Sequence, residues 1–482
     1  MSVYVKNNDP SGIVYDNKTT SQIDGEGPGE YINSGSSVLS TLYEISPETQ
    51  WVDWNPSTNE FGKVSSVGVG AGCLVIGNPD DVTSGQAWIT NYDGTWWDRV
   101  VPSLYTGQSG KFGTHIELGK NKIFIGQPES NHNSYTNAGS IEILDYRGNY
   151  VRSVTNIPTY RRNDTRLGAK GSFAIGDNII FAGSPATKLY NAGDPVDGLV
   201  VERFNPDIGG VYATSLSAPY IDLTDWWTDQ IGNTFQDPQT SSFGQSVAYG
   251  SGRFFIGDEL MTYYVSNQGL FNEDWKVTGG LAAWSPDGYW MRNYYYPGPE
   301  LSGEGYPENS GRIIRVGSGY VGTTLNGTSG AQWHQPVLRP GGIIYWEIET
   351  GKLFGPLKMP NALANGGAFG TEGPTRQSGD FDIGCGFIVG TANAAHSTNG
   401  TASVVIWELG SQSLVEQFNI HPTKNNQEHF VEQVKIADGY VFISGEIDGQ
   451  GGFVYRYRLP QTVGSTVESL LSTYINNDER VQ

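Results

Sequence analysis

With 29 Lys+Arg against 50 Asp+Glu, this 482-residue chain carries a formal charge of −21, which repels phosphate backbones and argues against nucleic-acid binding. Charged residues make up only 16% of it, while Gly 65 and Pro 24 point to many tight turns rather than long helices. Its 2 cysteines, Cys73 and Cys385, lie far apart in apolar surroundings, which excludes a disulfide framework or a cysteine metal cluster and reads as two buried thiols. The first residues, Met1-Ser2-Val3-Tyr4-Val5-Lys6, hold no apolar core of signal-peptide length, and no apolar run reaches the ~18 residues of a membrane span. The expectation is a protein made in a cytoplasm, without membrane insertion.

Residues 1–35 are polar and rich in Gly, Ser and Asn, and read as an extended arm, either unstructured or ordered against a neighbouring subunit. Residues 38–45 resemble a third strand without its partners, which leaves an eighth or partly duplicated blade open. Trp51-Val52-Asp53-Trp54 then looks like a fourth strand arriving before any first one.

A phrase now begins to recur. Phe-Gly or a similar pair opens a strand, a glycine turn follows, and a second apolar strand ends in Gly-x-Pro. The cleanest copy runs from Phe112-Gly113 through Gly119-Lys120-Asn121 to Ile123-Phe124-Ile125-Gly126-Gln127-Pro128. Seven segments fit, starting at Phe61-Gly62, Phe112-Gly113, Leu167-Gly168, Phe243-Gly244, Ser310-Gly311, Phe369-Gly370 and Phe430-Val431, the fifth being the poorest. Short, wholly apolar second strands such as Phe254-Phe255-Ile256 read as central strands buried on both faces. The Gly, Asn and Asp residues between paired strands tolerate the positive φ of a tight hairpin turn. A third strand follows, as in Gly342-Ile343-Ile344-Tyr345-Trp346, and then a turn and a fourth, as in Asp287-Gly288 before Tyr289-Trp290.

Four antiparallel strands per repeat is the signature of a propeller blade. The fold class is therefore all-β: a seven-bladed β-propeller of four-stranded antiparallel blades over residues 36–460. The last repeat supplies three strands before Pro460, so the early strand at 51–54 is expected to close the ring and remove an open sheet edge. Residues 205–241, with Trp226-Trp227, read as an insertion over one face. In 461–482, Val467, Leu470, Leu471, Tyr474 and Ile475 fall at helical spacing behind a Ser465/Glu468 capping box. This tail is expected to form a short amphipathic helix that docks on its own propeller or on a partner.

The opening Phe-Gly, the Gly-x-Pro strand end and the Gly-opened third strand together resemble the FG-GAP repeats of integrin α-subunits and of many bacterial and viral proteins. The likeness covers roughly residues 61–459, and its specificity lies in repetition. It implies a propeller used for adhesion or binding. The family's acidic calcium loop is missing, because turns such as Lys120-Asn121 and Asp177-Asn178 offer too few carboxylates for a six- to eight-oxygen shell. No metal or other cofactor is therefore expected. Low lysine content and Gly/Asn/Ser/Thr/Tyr/Trp-rich segments also look like phage virion proteins, which carry FG-GAP-like structural components.

No catalytic constellation stands out. The histidines His115, His132, His334, His396, His421 and His429 show no metal-ligand spacing, and no nucleophile elbow is present. The glycine-rich Gly68-Val69-Gly70-Ala71-Gly72 sits between two strands rather than before a helix, which suits a hairpin and not a phosphate loop. Aromatic doublets concentrate flat surface at Trp96-Trp97, Trp226-Trp227 and Tyr289-Trp290. Trp96, Trp97, Trp226, Trp227 and Trp290 are thus candidate contacts to a partner or a glycan, although one member of a strand doublet faces inward by alternation alone. The reading is a non-enzymatic attachment or structural component of a phage virion, in its tail, neck or fibre, within an oligomeric assembly. Its partners would be other virion proteins or a host-surface glycan. A lectin-like adhesin and a propeller glycosidase are the alternatives.

Overall fold

The structure is a computed structural model. It describes 2–7, 14–19, 43–45, 49–52 and, between 64 and 460, the blade strands with most of their turns. Residues 20–42, 53–63, 93–96, 184–200, 217–242, 295–310, 326–341 and 461–482 are among those outside the described residues. The expected docking helix at Val467, Leu470, Leu471, Tyr474 and Ile475 lies there, as do Trp96, Trp226 and Trp227.

Seven four-stranded sheets, all antiparallel within the four, form a ring. Blade 1 comprises Ser66–Gly70, Cys73–Asn78, Gln86–Asn91 and Trp97–Val100. Blade 2 comprises Ile116–Gly119, Lys122–Gln127, Ser140–Asp145 and Tyr150–Val154. Blade 3 comprises Phe173–Ile175, Ile180–Gly183, Val201–Phe204 and Ser215–Leu216. Blade 4 comprises Val247–Gly250, Arg253–Asp258, Gly280–Trp284 and Trp290–Tyr294. Blade 5 comprises Ile314–Gly317, Tyr320–Leu325, Gly342–Glu347 and Leu353–Lys358. Blade 6 comprises Phe381–Gly384, Phe387–Ala392, Ser403–Glu408 and Leu414–Ile420. Blade 7 comprises His429–Ala437, Tyr440–Ile447, Gly451–Arg458 and, from the other end of the chain, Thr49–Val52.

The core is divided as the ring is. Seven buried apolar clusters lie one at each blade junction, from Val75, Ile89, Phe112 and Ile125 between blades 1 and 2 to Val67, Leu74, Phe442 and Val454 between blades 7 and 1. Each second strand faces two neighbours, which is why its residues are apolar throughout rather than alternating.

The recurring phrase has a contact behind it. The glycine of the Phe-Gly or Leu-Gly pair takes positive φ, 96° at Gly113, 88° at Gly168 and 93° at Gly244. This turns its carbonyl onto the preceding blade, against a glycine in the last two positions of that blade's second strand. A Cβ on Gly77 would lie 2.1 Å from the Gly113 carbonyl oxygen, and one on Gly183 would lie 1.9 Å from that of Gly244. Two glycines, one per blade, therefore set the spacing of the ring.

Ring closure follows the sequence expectation, with Val52 opposite Phe453 and Trp51 opposite Val454. The eighth blade does not form. Residues Tyr43–Ile45 instead add in parallel to the outer strand of blade 6 as a fifth strand. Within the segment read as an extended arm, Ser2–Asn7 and Val14–Thr19 pair as an antiparallel hairpin. The insertion expected over 205–241 contains a blade strand, since Ser215–Leu216 is the outer strand of blade 3. Blade 4 carries an unexpected hairpin, Thr262–Val265 with Asp274–Val277, between its second and third strands. The sixth copy is displaced: Ala368–Phe369 pairs in parallel with Ser378–Gly379, and the inner strand begins only at Phe381. Among the described residues there is no helix.

Candidate functional site

The inner strands share one register around the bore, and its first position is Ser66, His115, Ser172, Ser246, Ile313, Asp380 and Gln433 in blades 1 to 7. Five of these residues, Ser66, His115, Ser246, Asp380 and Gln433, join their blade to the next. Ser66 Oγ accepts from Ile116 N at 3.0 Å, and Ser246 Oγ accepts from Ile314 N at 3.0 Å. Asp380 Oδ2 accepts from Val434 N at 3.0 Å, and Gln433 Oε1 accepts from Val67 N at 2.7 Å, across the closing seam. His115 uses Nε2 at 3.1 Å from the Phe173 carbonyl oxygen. At blade 3 the Gly171 carbonyl accepts from Val247 N, and at blade 5 Arg315 takes over with both Asp380 oxygens at 2.8 Å.

Two residues further along each inner strand the side chains are Gly68, Glu117, Ala174, Ala248, Arg315, Asp382 and Lys435. The small residues of blades 1, 3 and 4 leave room that the charged ones of blades 2, 5, 6 and 7 fill. Lys435 Nζ donates to Glu117 Oε1 at 3.1 Å, reaching past blade 1 from blade 7 to blade 2. Lys170 Nζ donates to Glu432 at 2.9 Å, and so ties blade 3 to blade 7 as well. Asp382 Oδ2 accepts from Ile436 N at 2.7 Å.

Above this tier lies a cavity of about 160 Å³, walled by the first-hairpin turns at Ala71, Asp177 and Asp438 and floored by His115, Glu117, Arg315, Asp382 and Lys435. Burial lowers the His115 pKa to about 4, against the opposing pull of Glu117, so its ring is neutral. Burial alone would raise Glu117, but Lys435 and His115 hold it below the usual carboxylate range. Burial opposes the Arg315 charge, and Asp380 and Asp382 more than restore it. Glu117 is thus held ionised against Lys435, and Asp382 accepts from the Ile436 backbone, which is the behaviour of a structural lattice rather than of a poised acid.

The sequence-selected aromatic residues lie elsewhere. Trp97 starts the outer strand of blade 1. Trp290 starts that of blade 4 at 49% exposure, beside Tyr289 at 74% and Met291 at 44%, so neither doublet member faces inward. Tyr289 lies in the turn before the outer strand, so strand alternation does not govern the pair. Beyond it a bulge leaves Met291 without an opposite, with Ala283 paired to Arg292 and Trp284 to Trp290. Blade 2 repeats the device, with Tyr150 and Val151 exposed at its own bulge. Cys73 and Cys385 form no disulfide and are half-buried rather than wholly buried, and Cys385 occupies a hairpin turn at φ 51°. Among the described residues no group of three or more His, Cys, Asp or Glu is placed to hold a metal ion.

The charged tier escaped the sequence reading because its chemistry differs from blade to blade. Its signal was available: Glu117, Arg315, Asp382 and Lys435 are charges in the middle of otherwise apolar strands, at one fixed distance before the hairpin turn.

No protein-family model matches the chain, and no curated protein matches it in sequence. Among solved structures, the β-propeller domain of the Trilobed protease from Pyrococcus furiosus, described as having an open velcro topology, is similar at TM-score 0.42 and 9% identity. The match covers 84% of this chain and 99% of that one. The fold is a seven-bladed β-propeller. The likeness says nothing further of this chain's chemistry.

Proposed function

We propose that this propeller is a non-enzymatic attachment or structural component of a phage particle, acting as a rigid ring that presents its outer rim to a neighbouring protein. The observation that carries the binding reading is the contrast between bore and rim. The charged groups of the bore floor are engaged with one another or with backbone, whereas the blade 4 rim holds Tyr289, Trp290 and Met291 out to solvent in succession. Exposed Tyr and Trp supply the contact area that binding hot spots use. The virion setting rests on the FG-GAP-like and phage-like character of the sequence. Mass spectrometry of purified virions tests it directly, and absence of this chain from the particle removes it.

The same aromatic pair favours a second reading, a glycan-binding module, since Trp290 offers an exposed ring that a sugar face can cover. Glycan-array binding that disappears in the Tyr289→Ser/Trp290→Ser variant would support it. Turnover of a polysaccharide by the intact protein would overturn the non-enzymatic claim.

A further inference from the structure

The chain before Asp53 does more than close the ring. Closure requires a fourth strand for blade 7, and Thr49–Val52 supplies it, with Trp51 opposite Val454. The strands ahead of it go to blade 6, which already has four of its own. Tyr43–Ile45 adds outside Leu414–Ile420 with Glu44 opposite Asn419, and Ser2–Asn7 of the N-terminal hairpin lies beside the same outer strand. A fifth strand on blade 6 stands a full blade away from the seam between blades 7 and 1. What it anchors is the segment 43–52 itself, as a strap over two adjacent rims.

The ring is held together beneath this strap. At the seam, Gln433 Oε1 accepts from Val67 N at 2.7 Å, and Asp438 accepts from Tyr92 Oη at 2.8 Å. Val64, Val67, Leu74 and Ile76 pack there against Phe442 and Val454. Under the strap, the junction of blades 6 and 7 holds the largest apolar cluster among the described residues, with Phe418, Phe453 and Tyr455 in it. These groups all come from the chain after residue 63, so none belongs to the strap. The strap itself is seated through two short main-chain ladders.

The tether is long enough for the strap to reach another molecule. Residues 53–65 connect the rim of blade 7 to the bore of blade 1, and fully extended they span up to roughly 43 Å. Crossing one four-stranded blade takes about 15 Å. We propose that residues 43–52 are exchanged between two copies of this chain, each strap completing blade 7 and capping blade 6 of the other. The closed ring is the form of a lone chain. There the tether alone keeps the strap close to its seat, and a second seat on blade 6 is superfluous. Between copies no such tether acts, and the second seat is what holds the pair. An identical copy presents identical seats, so Tyr43 meets Phe418 and Trp51 meets Val454 in unchanged registers. An unrelated strand would have to reproduce both registers and the short step between them. Absence of the chain from virions would leave the exchange untouched, since it requires only the strap and its seats.

A cysteine pair across the fifth-strand ladder tests the exchange, because Glu44 and Asn419 stand directly opposite each other. Full-length Glu44→Cys and Asn419→Cys variants, each also carrying Cys73→Ser and Cys385→Ser, are co-expressed and oxidised after purification. Random pairing of the two should leave about half of the protein as a disulfide-linked dimer, and the parent should scatter light as twice the mass of one chain. A chain carrying both cysteine substitutions is the geometric control. A disulfide closed within that one chain, with the co-expressed pair left unlinked, overturns the proposal. So does a double variant that forms no bond at all, since the strap is then not on its seat. A parent protein that scatters as a single chain overturns it as well, and that measurement needs no substitution if a variant does not fold.

Discussion

Blades 4 and 7 have the same four strands in the same order from bore to rim, yet they are held by different means. Blade 4 runs in one direction along the chain from Val247 to Tyr294, and its rim is bare. Blade 7 borrows Thr49–Val52 from the far end of the chain, and its inner strand reaches across the bore through Lys435 to Glu117 and through Glu432 to Lys170. Its flank against blade 1 is reinforced again, with Tyr92 Oη donating to Asp438 at 2.8 Å and Arg456 donating to the Tyr92 carbonyl at 2.7 Å. A blade made of one continuous segment keeps its strands together by chain connectivity. A blade assembled from two segments has no such tether, and the extra side-chain bonds gather there.

The contrast breaks most sharply in the backbone. Trp51→Pro removes a ladder donor from the closing strand opposite Val454 and should cost about 3 kcal/mol or more, seen as a lower melting temperature. Met291→Pro, at the bulge of blade 4 where no residue stands opposite, should cost well under half as much in the same assay. Equal losses would show that the closing strand is no special point of weakness.

Acid sharpens the comparison next, since His115 shares the Glu117 carboxylate that Lys435 uses to hold blade 7. Its folded pKa, about 4, lies below the ordinary 6.5, so the unfolded chain binds the proton first. The stabilisation is therefore full above pH 6.5 and is lost as pH falls toward 4, by up to ~3 kcal/mol. Thermal melts across that window should show the loss in the parent protein. His115→Gln, which keeps a donor for Phe173 O but cannot titrate, should be flatter over the same range.

A smaller effect tests the spacing of the ring. Gly257→Ala drives a methyl to 1.9 Å from the Gly311 carbonyl and should cost about 1–3 kcal/mol, because backbone must move. Gly252→Ala, in open space at a turn, carries only its φ penalty, with φ at 67°. The smallest change in stability, within about 0.5 kcal/mol, is expected for Tyr289→Ser with Trp290→Ser on the bare rim. If that pair of changes destabilises the fold strongly, the rim residues pack rather than bind.

These differences also mark how far residues alone could be read. The ring was visible because a repeated close approach demands the same answer each time, glycine at 77, 126, 183 and 257 against glycine at 113, 168, 244 and 311. The closing strand was visible because three strands before Pro460 lacked a fourth. The bore was not, because Glu117 meets Lys435 only after the chain has circled, and one position carries a glycine, an alanine, an acid or a base depending on the blade. The rim misled for a local reason. Strict alternation puts one of Tyr289 and Trp290 inside, but the strand begins only at Trp290, so Tyr289 belongs to the turn and the rule does not apply to the pair.

The borrowed strand also sets an order of events during synthesis. Thr49–Val52 leaves the ribosome before any complete blade, whereas its partner Gly451–Arg458 is made after all the others. Until then the nascent chain can be no more than an open arc, with the outward flanks of blades 1 and 6 both uncovered. The early strand must wait through that interval without pairing elsewhere, and the short Tyr43–Ile45 strand just before it has its own seat on blade 6. Docking there would hold the waiting strand one blade away from its destination, so that the last step of folding is a local search rather than a search by a free chain end.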